Sequence, residues 1–297
     1  MNVLVIGGTR FFGRRLVHRL LAEGHAVTVA SRGQTVDDFG ERVERIRVDR
    51  TDDEAMRQAF AGRSFDVVFD QVGFNPVHAR GAIEAFGQRV QRYVFTSSIS
   101  VYEGGNDVSE TAFDPAHYPV DLAAGSYEYG EGKRQAEAYL MQHAPFDVVT
   151  VRVAMVVSGD DDYTGRFAFH VNHVAEGVSI AVPDDVEHPI TFVTAGQVAD
   201  FLHFVGVQSD FVGPVNAGND GYESTQSLCR RIGQIVSRDA SFHLAASPEA
   251  DADFSPYGFS TDLTVSNRLA KEIGFAFTDW RQELPSMVGE VLKRRAE

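Results

Sequence analysis

The sequence lacks several features that mark particular classes of protein. Its one cysteine, Cys229, excludes an internal disulfide and fits a reducing cytoplasm. The apolar stretch near the start ends at Gly7 and follows no basic segment, which argues against a signal peptide. No window approaches the ~18 apolar residues that a membrane-spanning helix needs. We expect a cytoplasmic protein with no membrane partner.

Positive charge is also scarce. The 297 residues include 27 Lys and Arg against 42 Asp and Glu, which gives a net charge of −15 at pH 7. No run of like charges supplies a local basic patch, so the chain should repel nucleic acid and anionic membranes. With 43% hydrophobic residues it can bury a large core. This balance favours a small-molecule ligand.

Short apolar runs alternate with helical patterns through the first half of the chain. Such runs are typical of strands buried on both faces of a parallel sheet, with crossover helices between them. We therefore predict a doubly wound α/β fold of the Rossmann type, whose ligands bind at the carboxyl ends of the strands. The predicted strands cover residues 3–7, 26–31, 43–48, 65–70, 92–98 and 146–153.

The pattern changes after about residue 154, where a polar, glycine-containing loop precedes a mixture of short strands and helices. We predict a dinucleotide-binding domain over residues 1–154, rejoined by about 190–217. Residues 155–189 and 218–297 would then form a smaller substrate-binding region interleaved with it.

The loop GGTRFFG, residues 7–13, lies between a predicted strand and a predicted helix. Gly7 permits a tight turn and Gly13 a close approach of helix to strand, which would aim backbone N–H groups at a pyrophosphate. Arg10 stands where the usual Gly-x-x-Gly-x-x-Gly pattern has its middle glycine, so the loop should open slightly and direct this side chain outward. The alternative is a strand–turn–helix that binds no cofactor.

Two further motifs carry hydroxyl groups and a lysine. Tyr129 and Lys133 are four residues apart and share one helix face, where a lysine would hold ribose hydroxyls and lower the tyrosine pKa. Thr96, Ser97 and Ser98 end a predicted strand, where a hydroxyl could bond to a substrate oxygen. The plainer alternatives are a half-exposed helix face and a strand cap.

In this order and spacing, IGGTRFFG, FTSSISVY and YGEGK resemble the extended short-chain dehydrogenase/reductase family, the NAD(P)-dependent epimerase/dehydratase group. The resemblance extends over essentially the whole chain. It implies that Ser98 is the catalytic hydroxyl, Tyr129 the general acid/base and Lys133 its ribose-binding partner, with Asp49 beside the adenine ring.

The full set of expected contacts follows from these motifs and their surroundings. The expected cofactor-binding residues are Gly7, Thr9, Arg10, Phe11, Phe12, Gly13, Ser31, Arg32, Asp49, Arg50, Val72 and Lys133. The expected substrate-binding residues are Ser97, Asp162, Tyr163 and Arg166.

The chain also departs from the family pattern. Arg10 replaces the middle glycine, as in a subset of the family whose loop reads GGTRF. The segment 69–76 differs from the usual His-Leu-Ala-Ala strand end, and 151–157 lacks the proline that commonly follows its arginine. Residues 190–199 lack the family's paired aspartates. These differences indicate that the chain is not a typical nucleotide-sugar epimerase.

The second predicted strand ends in Ser31 and Arg32 rather than in the carboxylate typical of NAD-selecting sites. A hydroxyl and a guanidinium favour a 2′-phosphate, so NADP is the expected cofactor and NAD the alternative. His170 and His173 are three residues apart, but no carboxylate or cysteine at ligand spacing accompanies them. No metal site is therefore expected.

The leading hypothesis is an NADP(H)-dependent oxidoreductase acting on a hydroxyl- or carbonyl-bearing carbon of a small molecule. The alternative enzyme is an NAD(P)-dependent epimerase or dehydratase of a sugar or nucleotide sugar. A third, non-catalytic hypothesis is a cofactor-sensing or RNA-binding protein, since some members with GGTRF loops resemble chloroplast stem-loop RNA-binding proteins. The net charge of −15 disfavours RNA. The resemblance also implies a homodimer as one assembly.

Overall fold

The computed structural model describes residues 1–296, with helices and strands alternating through the first half. The strands are β1 (Asn2–Ile6), β2 (Ala26–Ser31), β3 (Val43–Arg47), β4 (Phe65–Asp70), β5 (Val90–Ser98), β6 (Gly105–Val108), β7 (Asp147–Val153), β8 (Met155–Val157), β9 (Ile180–Val182), β10 (Ile190–Thr194), β11 (Gly213–Ala217), β12 (Tyr222–Glu223), β13 (Phe242–Leu244) and β14 (Leu263–Val265). The helices are α1 (Phe11–Ala22), α2 (Asp53–Ala59), α3 (Pro76–Phe86), α4 (Tyr129–His143), α5 (Arg166–Glu176), α6 (Ala195–His203), α7 (Thr225–Val236), α8 (Arg268–Glu272) and α9 (Leu284–Ala296).

Seven parallel strands form the main sheet, in the order β11-β7-β5-β4-β1-β2-β3. The chain leaves β1 in one direction toward β2 and β3, and β4 lies on its other side. This reversal of strand order at β1 and β4 is the topological switch point where doubly wound sheets bind ligands. The predicted fold class is confirmed.

Helices cover both faces of this sheet because its strands are apolar on both sides. On one face α1 and α6 pack together, with Leu16, Leu20 and Phe201 fully buried. On the other face lie α2, α3 and α4, with Met56 and Leu140 fully buried. Burial of each such side chain contributes roughly 1.5–3 kcal/mol, which fixes the helix starts relative to the strand ends.

A second group of elements lies outside the main sheet. Strands β12, β10, β14 and β6 form a small mixed sheet with β8 beside β10, and β13 pairs with β9. Helices α5, α7 and α9 enclose a separate core with the fully buried Trp280. Strand β11 returns to the main sheet, whereas β6 joins the small one from within residues 1–154. The predicted division into two regions therefore stays a proposal.

Two remaining features concern sequence expectations. Cys229 is packed in the core of the second region, where burial raises the pKa of its thiol. Among residues 1–296, no helix has both the length and the apolar character needed to cross a bilayer.

Candidate active site

The glycine loop follows β1 directly and begins with a sharp reversal of the chain. Gly7 has φ of 86°, and a Cβ there would lie 2.5 Å from Cγ1 of Val72. At Gly13 a Cβ would lie 2.3 Å from Oε1 of Gln71. Gly7 is thus required by its positive φ and by close packing against the segment that follows β4, whereas a side chain at Gly13 would displace the Gln71 amide.

Arg10, which replaces the middle glycine, does not itself take the strained backbone conformation of this loop. Arg10 has an extended backbone, with φ of −139° and ψ of 159°, which any residue adopts. Phe11 takes the left-handed conformation instead, with φ of 52°. Such a conformation costs of order 1–3 kcal/mol in a non-glycine residue and is typical of ligand-binding loops.

The Arg10 side chain points away from the strand, toward the loop after β2 and the second region. Its Nε donates to Oγ1 of Thr35 at 3.0 Å, and its guanidinium carbon lies 5.6 Å from the ring centroid of Tyr163. No side chain caps the start of α1 within the described residues, so its first N–H groups stay available to an anion.

A cavity of about 450 Å³ extends from this loop along the carboxyl ends of β1, β2 and β4. Ten of the twelve predicted cofactor-binding residues line it, and Gly13 and Lys133 do not. The predicted residues on its wall are Gly7, Thr9, Arg10, Phe11, Phe12, Ser31, Arg32, Asp49, Arg50 and Val72.

One end of this cavity is rich in arginine and exposed. Arg32 lines it beside Ser31, whose hydroxyl accepts a hydrogen bond from the Gly33 nitrogen at 3.2 Å. Arg47, at the end of β3, lines the adjoining surface. Its Cδ lies 3.5 Å from the place that a Cβ on Gly33 would occupy, so the side chain runs beside Gly33. Within residues 1–296 neither arginine forms an ion pair, so both are available to an anionic ligand.

Asp49 follows β3 and lines the same cavity as Arg32. Its Oδ1 accepts hydrogen bonds from the nitrogen and hydroxyl of Thr51, at 2.9 and 2.8 Å. These bonds, and then the nearby Arg32 charge, hold the pKa of the Asp49 carboxyl below its usual value. The carboxylate is ionised at neutral pH and exposed toward the cavity.

Arg50 and Asp70 form a buried ion pair under the middle of the cavity. Nη2 of Arg50 donates to Oδ2 of Asp70 and to the carbonyl of His78, each at 2.7 Å. The Tyr93 hydroxyl donates to the same carboxylate at 2.5 Å. Burial opposes ionisation of Asp70, but the Arg50 charge and these hydrogen bonds hold its pKa below the usual value. Asp70 is the last residue of β4, in the segment that departs from the His-Leu-Ala-Ala pattern.

Ser98, Tyr129 and Lys133 meet at the carboxyl end of β5, beside the inner end of the cavity. Tyr129 is the first residue of α4, and its half-exposed ring lies 6.5 Å from that of Phe74, which lines the cavity. Nζ of Lys133 is buried, donates to the carbonyls of Gly73 and Thr96 at 2.7 Å each, and lies 5.9 Å from the Tyr129 ring centroid.

Burial has the largest effect on the electrostatics of this group. Burial raises the pKa of the Tyr129 phenol, and the effects that oppose the rise come from Ser98 and Arg166 rather than from Lys133. Burial lowers the pKa of Lys133 to about 8. Two backbone carbonyls hold the Lys133 ammonium in this structure, and the lowering of the tyrosine pKa by the lysine stays a prediction.

Ser97 does not face the cavity. Side chains alternate along a strand, so Ser97 points to the opposite face from Ser98. Its hydroxyl donates to the buried carboxylate of Glu137, which also pairs with the fully buried Arg152 at 2.8 Å. This cluster ties β5 and β7 to α4.

The predicted substrate residues of the second region separate into two groups. Tyr163 is exposed, lines the cavity and lies 6.0 Å from the Phe11 ring, and Arg166 lies near Tyr129. Asp162 is buried, and its Oδ1 accepts two hydrogen bonds from Thr164 at 2.8 and 2.6 Å, so it shapes the loop.

Sequence reasoning missed five residues around the cavity. Gln71, Phe74 and His78 follow β4 and line the wall, and the rule that ligands bind at strand ends could have found them. No local signal marked Thr35 or Arg47, because their place beside Arg10 and Arg32 depends on how β2 and β3 pair.

Comparisons with known proteins bear on the family and the fold of this chain. Residues 3–218 match the NAD dependent epimerase/dehydratase family. UDP-glucuronic acid decarboxylase 2 of Arabidopsis thaliana is 25% identical over 99% of this chain and 69% of its own length. The chloroplast stem-loop binding protein of 41 kDa b from the same plant is 31% identical over 34% of this chain and only 30% of its own length.

A solved structure supports the fold over the whole chain. UDP-glucuronic acid 4-epimerase from Bacillus cereus, in complex with UDP-glucuronic acid and NAD, superposes with a TM-score of 0.77 at 16% identity, over 99% of this chain and 100% of that one. The resemblance inferred from the motifs is confirmed by the family match, which covers more than half of the residues. The chain therefore belongs to the NAD dependent epimerase/dehydratase family, a family of enzymes.

Proposed function

We propose that the chain is a nicotinamide-dependent oxidoreductase that moves a hydride to or from a hydroxyl- or carbonyl-bearing carbon of a small molecule. Tyr129 transfers the proton, Ser98 orients the reacting oxygen and Lys133 holds the cofactor ribose. The observation that carries this proposal is the meeting of these three side chains at the end of β5, against the inner end of the cavity.

The residues around the cavity fit a dinucleotide. The uncapped start of α1 suits a pyrophosphate, and Gly7 leaves no room for a side chain there. When bound, the cofactor supplies the hydride. Lys133 would meet the ribose through its third ammonium proton, since the other two are taken by backbone carbonyls. Its pKa of about 8 leaves it mostly protonated at neutral pH.

NADP is the preferred cofactor in this proposal. Arg10, Arg32 and Arg47 surround the loop after β2, where a 2′-phosphate would lie, and their guanidinium groups can pair with its oxygens. The matched family is described as NAD dependent, and the solved epimerase holds NAD, so NAD is the alternative. A homodimer and a cytoplasmic location stay predictions.

A second candidate is an enzyme of nucleotide sugars that returns its cofactor unchanged. It is favoured by a relative matched over 99% of this chain, UDP-glucuronic acid decarboxylase 2, and by the solved epimerase that holds UDP-glucuronic acid. In such enzymes the same tyrosine-assisted hydride step is reversed later in the cycle. The cavity and the trio of side chains serve either reaction.

One assay separates the two candidates. The protein is incubated with NADP⁺, NADPH, NAD⁺ or NADH and a panel of secondary alcohols, ketones and UDP-sugars, with nicotinamide absorbance and product chromatography followed together. Net oxidation or reduction of the cofactor supports the oxidoreductase. A new product without net cofactor change supports the epimerase-like enzyme.

The Tyr129→Phe variant tests the role assignment on whichever substrate reacts. We expect the fold and cofactor affinity to persist while kcat falls by ~10²-fold or more, the range for loss of a general acid/base. Tyr127→Phe, two residues before α4, is the matched control and should leave kcat unchanged. A near-normal kcat in Tyr129→Phe would remove the tyrosine from the reaction.

A further inference from the structure

Three potential metal ligands converge at the amino-terminal edge of the main sheet, on the side away from the cavity. Glu23 ends α1, Gly24 reverses the chain with φ of 78°, and His25 comes just before β2. His203 is the last residue of α6, which packs along α1. One ligand atom from each of Glu23, His25 and His203 lies within 4.8 Å of the others.

Three ring nitrogens of this cluster are buried without a hydrogen-bond partner among the described residues. His203 is 0% exposed, and neither of its ring nitrogens makes a hydrogen bond to the described residues. Nε2 of His25 is likewise buried and unpaired. Unpaired buried polar atoms are uncommon and lower the stability of the folded chain. A bound ligand that these nitrogens contact would remove that cost.

The direction of the contacts points to a shared ion. Nε2 of His203 lies 2.8 Å from Oε2 of Glu23, within hydrogen-bonding distance, but the contact fails as a hydrogen bond because of its angle. Nε2 of His25 lies 3.7 Å from the same oxygen. Ligands of one metal ion direct their lone pairs at the ion and not at each other. Two ligand atoms of a shared ion are therefore close together but poorly aligned for a hydrogen bond.

The distances also suit a small divalent ion. Zn–N and Zn–O bonds of about 2.0–2.2 Å place two tetrahedral ligand atoms about 3.4 Å apart. The observed separations of 2.8 and 3.7 Å bracket that value and need only small side-chain adjustments. Glu23 is about one-third exposed, at 37%, which leaves an entry path and room for a water as fourth ligand.

The surroundings leave one nitrogen of His25 and the charge of Glu23 for an ion. Nδ1 of His25 faces the Met1 nitrogen at 3.3 Å, which leaves Nε2 for the cluster. The second carboxylate oxygen of Glu23 lies 4.0 Å from Nε of Arg19. A carboxylate at the C-terminal end of α1 is unfavourable unless a cation accompanies it, and a divalent ion would supply more charge than Arg19 alone.

We propose that Glu23, His25 and His203 form a binding site for a first-row divalent transition metal ion, with Zn²⁺ as the expected occupant. Two imidazoles and one carboxylate are a ligand set that zinc accepts. The ion would join the turn between α1 and β2 to the end of α6. Helix α6 is the segment by which the chain returns to the main sheet after residues 155–189 of the second region. Its role is structural, and it lies apart from Tyr129 and the cofactor cavity.

The test uses the full, tag-free chain after treatment with EDTA, titrated with ZnCl₂ by calorimetry. We expect one Zn²⁺ per chain, and a rise in Tm of about 4 °C at a hundredfold excess over Kd. Glu23→Gln and His25→Gln should each lose this binding and the Tm shift. They carry the test because His203 is fully buried and its replacement can unfold the chain.

The matched control is His188→Gln. His188 also lies between two carboxylates, those of Asp184 and Asp262, at 3.4 and 3.0 Å, but far from this cluster in sequence. This variant should bind Zn²⁺ as the wild type does. The proposal is overturned if wild-type protein shows no saturable binding of one equivalent, if Glu23→Gln and His25→Gln bind Zn²⁺ unchanged, or if His188→Gln abolishes the binding.

Discussion

The two ends of the cavity use charge in opposite ways. From the middle of the cavity to its inner end, and in the core behind that end, charged groups are buried and paired: Lys133 is held by carbonyls, Arg50 by Asp70, and Arg152 by Glu137. At the outer end, Arg32 and Arg47 are exposed and have no ion-pair partner among residues 1–296.

The buried pairs therefore support the fold around the site, whereas the exposed arginines select the ligand. A buried charge that loses its partner is costly, so the inner network fixes the positions of β5 and α4 and tolerates little change. An exposed arginine is solvated and mobile, so its replacement changes ligand preference more than stability. The same residue type therefore has different consequences at the two ends.

The largest expected effect is at the inner end, in Glu137→Gln. The change leaves Arg152 buried beside a neutral amide, and the free energy of unfolding should fall by about 3–5 kcal/mol. Urea denaturation measures it. Glu131→Gln, on the same helix and paired with the partly exposed Arg134, is the control and should cost about 1 kcal/mol or less. Equal losses in both variants would contradict the contrast between buried and exposed pairs.

The next effect concerns pH. Lys133 has a pKa of about 8 in the folded chain and about 10.4 when unfolded, so the unfolded state binds more protons between these values. Stability should therefore rise with pH across this window, by about 3 kcal/mol from this group. Urea denaturation of the wild type and Lys133→Met at a series of pH values isolates the contribution, which the variant lacks. Parallel curves for the two proteins would show that burial does not perturb the lysine.

The smallest effect lies at the outer end, in Arg32→Ala. A hydrogen bond to a charged group contributes ~1.5–3 kcal/mol, so NADPH should bind at least about tenfold tighter than NADH to the wild type. The variant should lose most of that preference without losing stability, as measured by calorimetry and thermal unfolding. Arg268→Ala, exposed and outside the cavity, is the control. Equal affinities for NADPH and NADH in the wild type would reject the NADP preference.

Several parts of the site could be predicted from local pattern. The glycine loop, the strand ending at Ser98 and the helix carrying Tyr129 and Lys133 each follow from residues close in sequence. Strand alternation alone could also have shown that Ser97 and Ser98 face opposite ways. Their order in a parallel sheet then brings them to the same edge.

Other parts could not be predicted, because they depend on contacts across the fold. Arg50 and Asp70 are 20 residues apart in the chain, and their ion pair places a buried charge at the end of β4. The pKa of Tyr129 depends on burial, on Ser98 and on Arg166, which comes from the second region. The cluster of Glu23, His25 and His203 forms only because α6 returns to pack on α1.

The sequence by itself determined six of the seven strands of the main sheet, the crossover helices between them and the reactive residue types. Hydrophobic periodicity and glycine spacing act over short distances, so a local pattern records them. The tertiary structure alone decided which charges are buried and which are free. That outcome depends on the desolvation and pairing of groups far apart in the chain, and no local pattern records either.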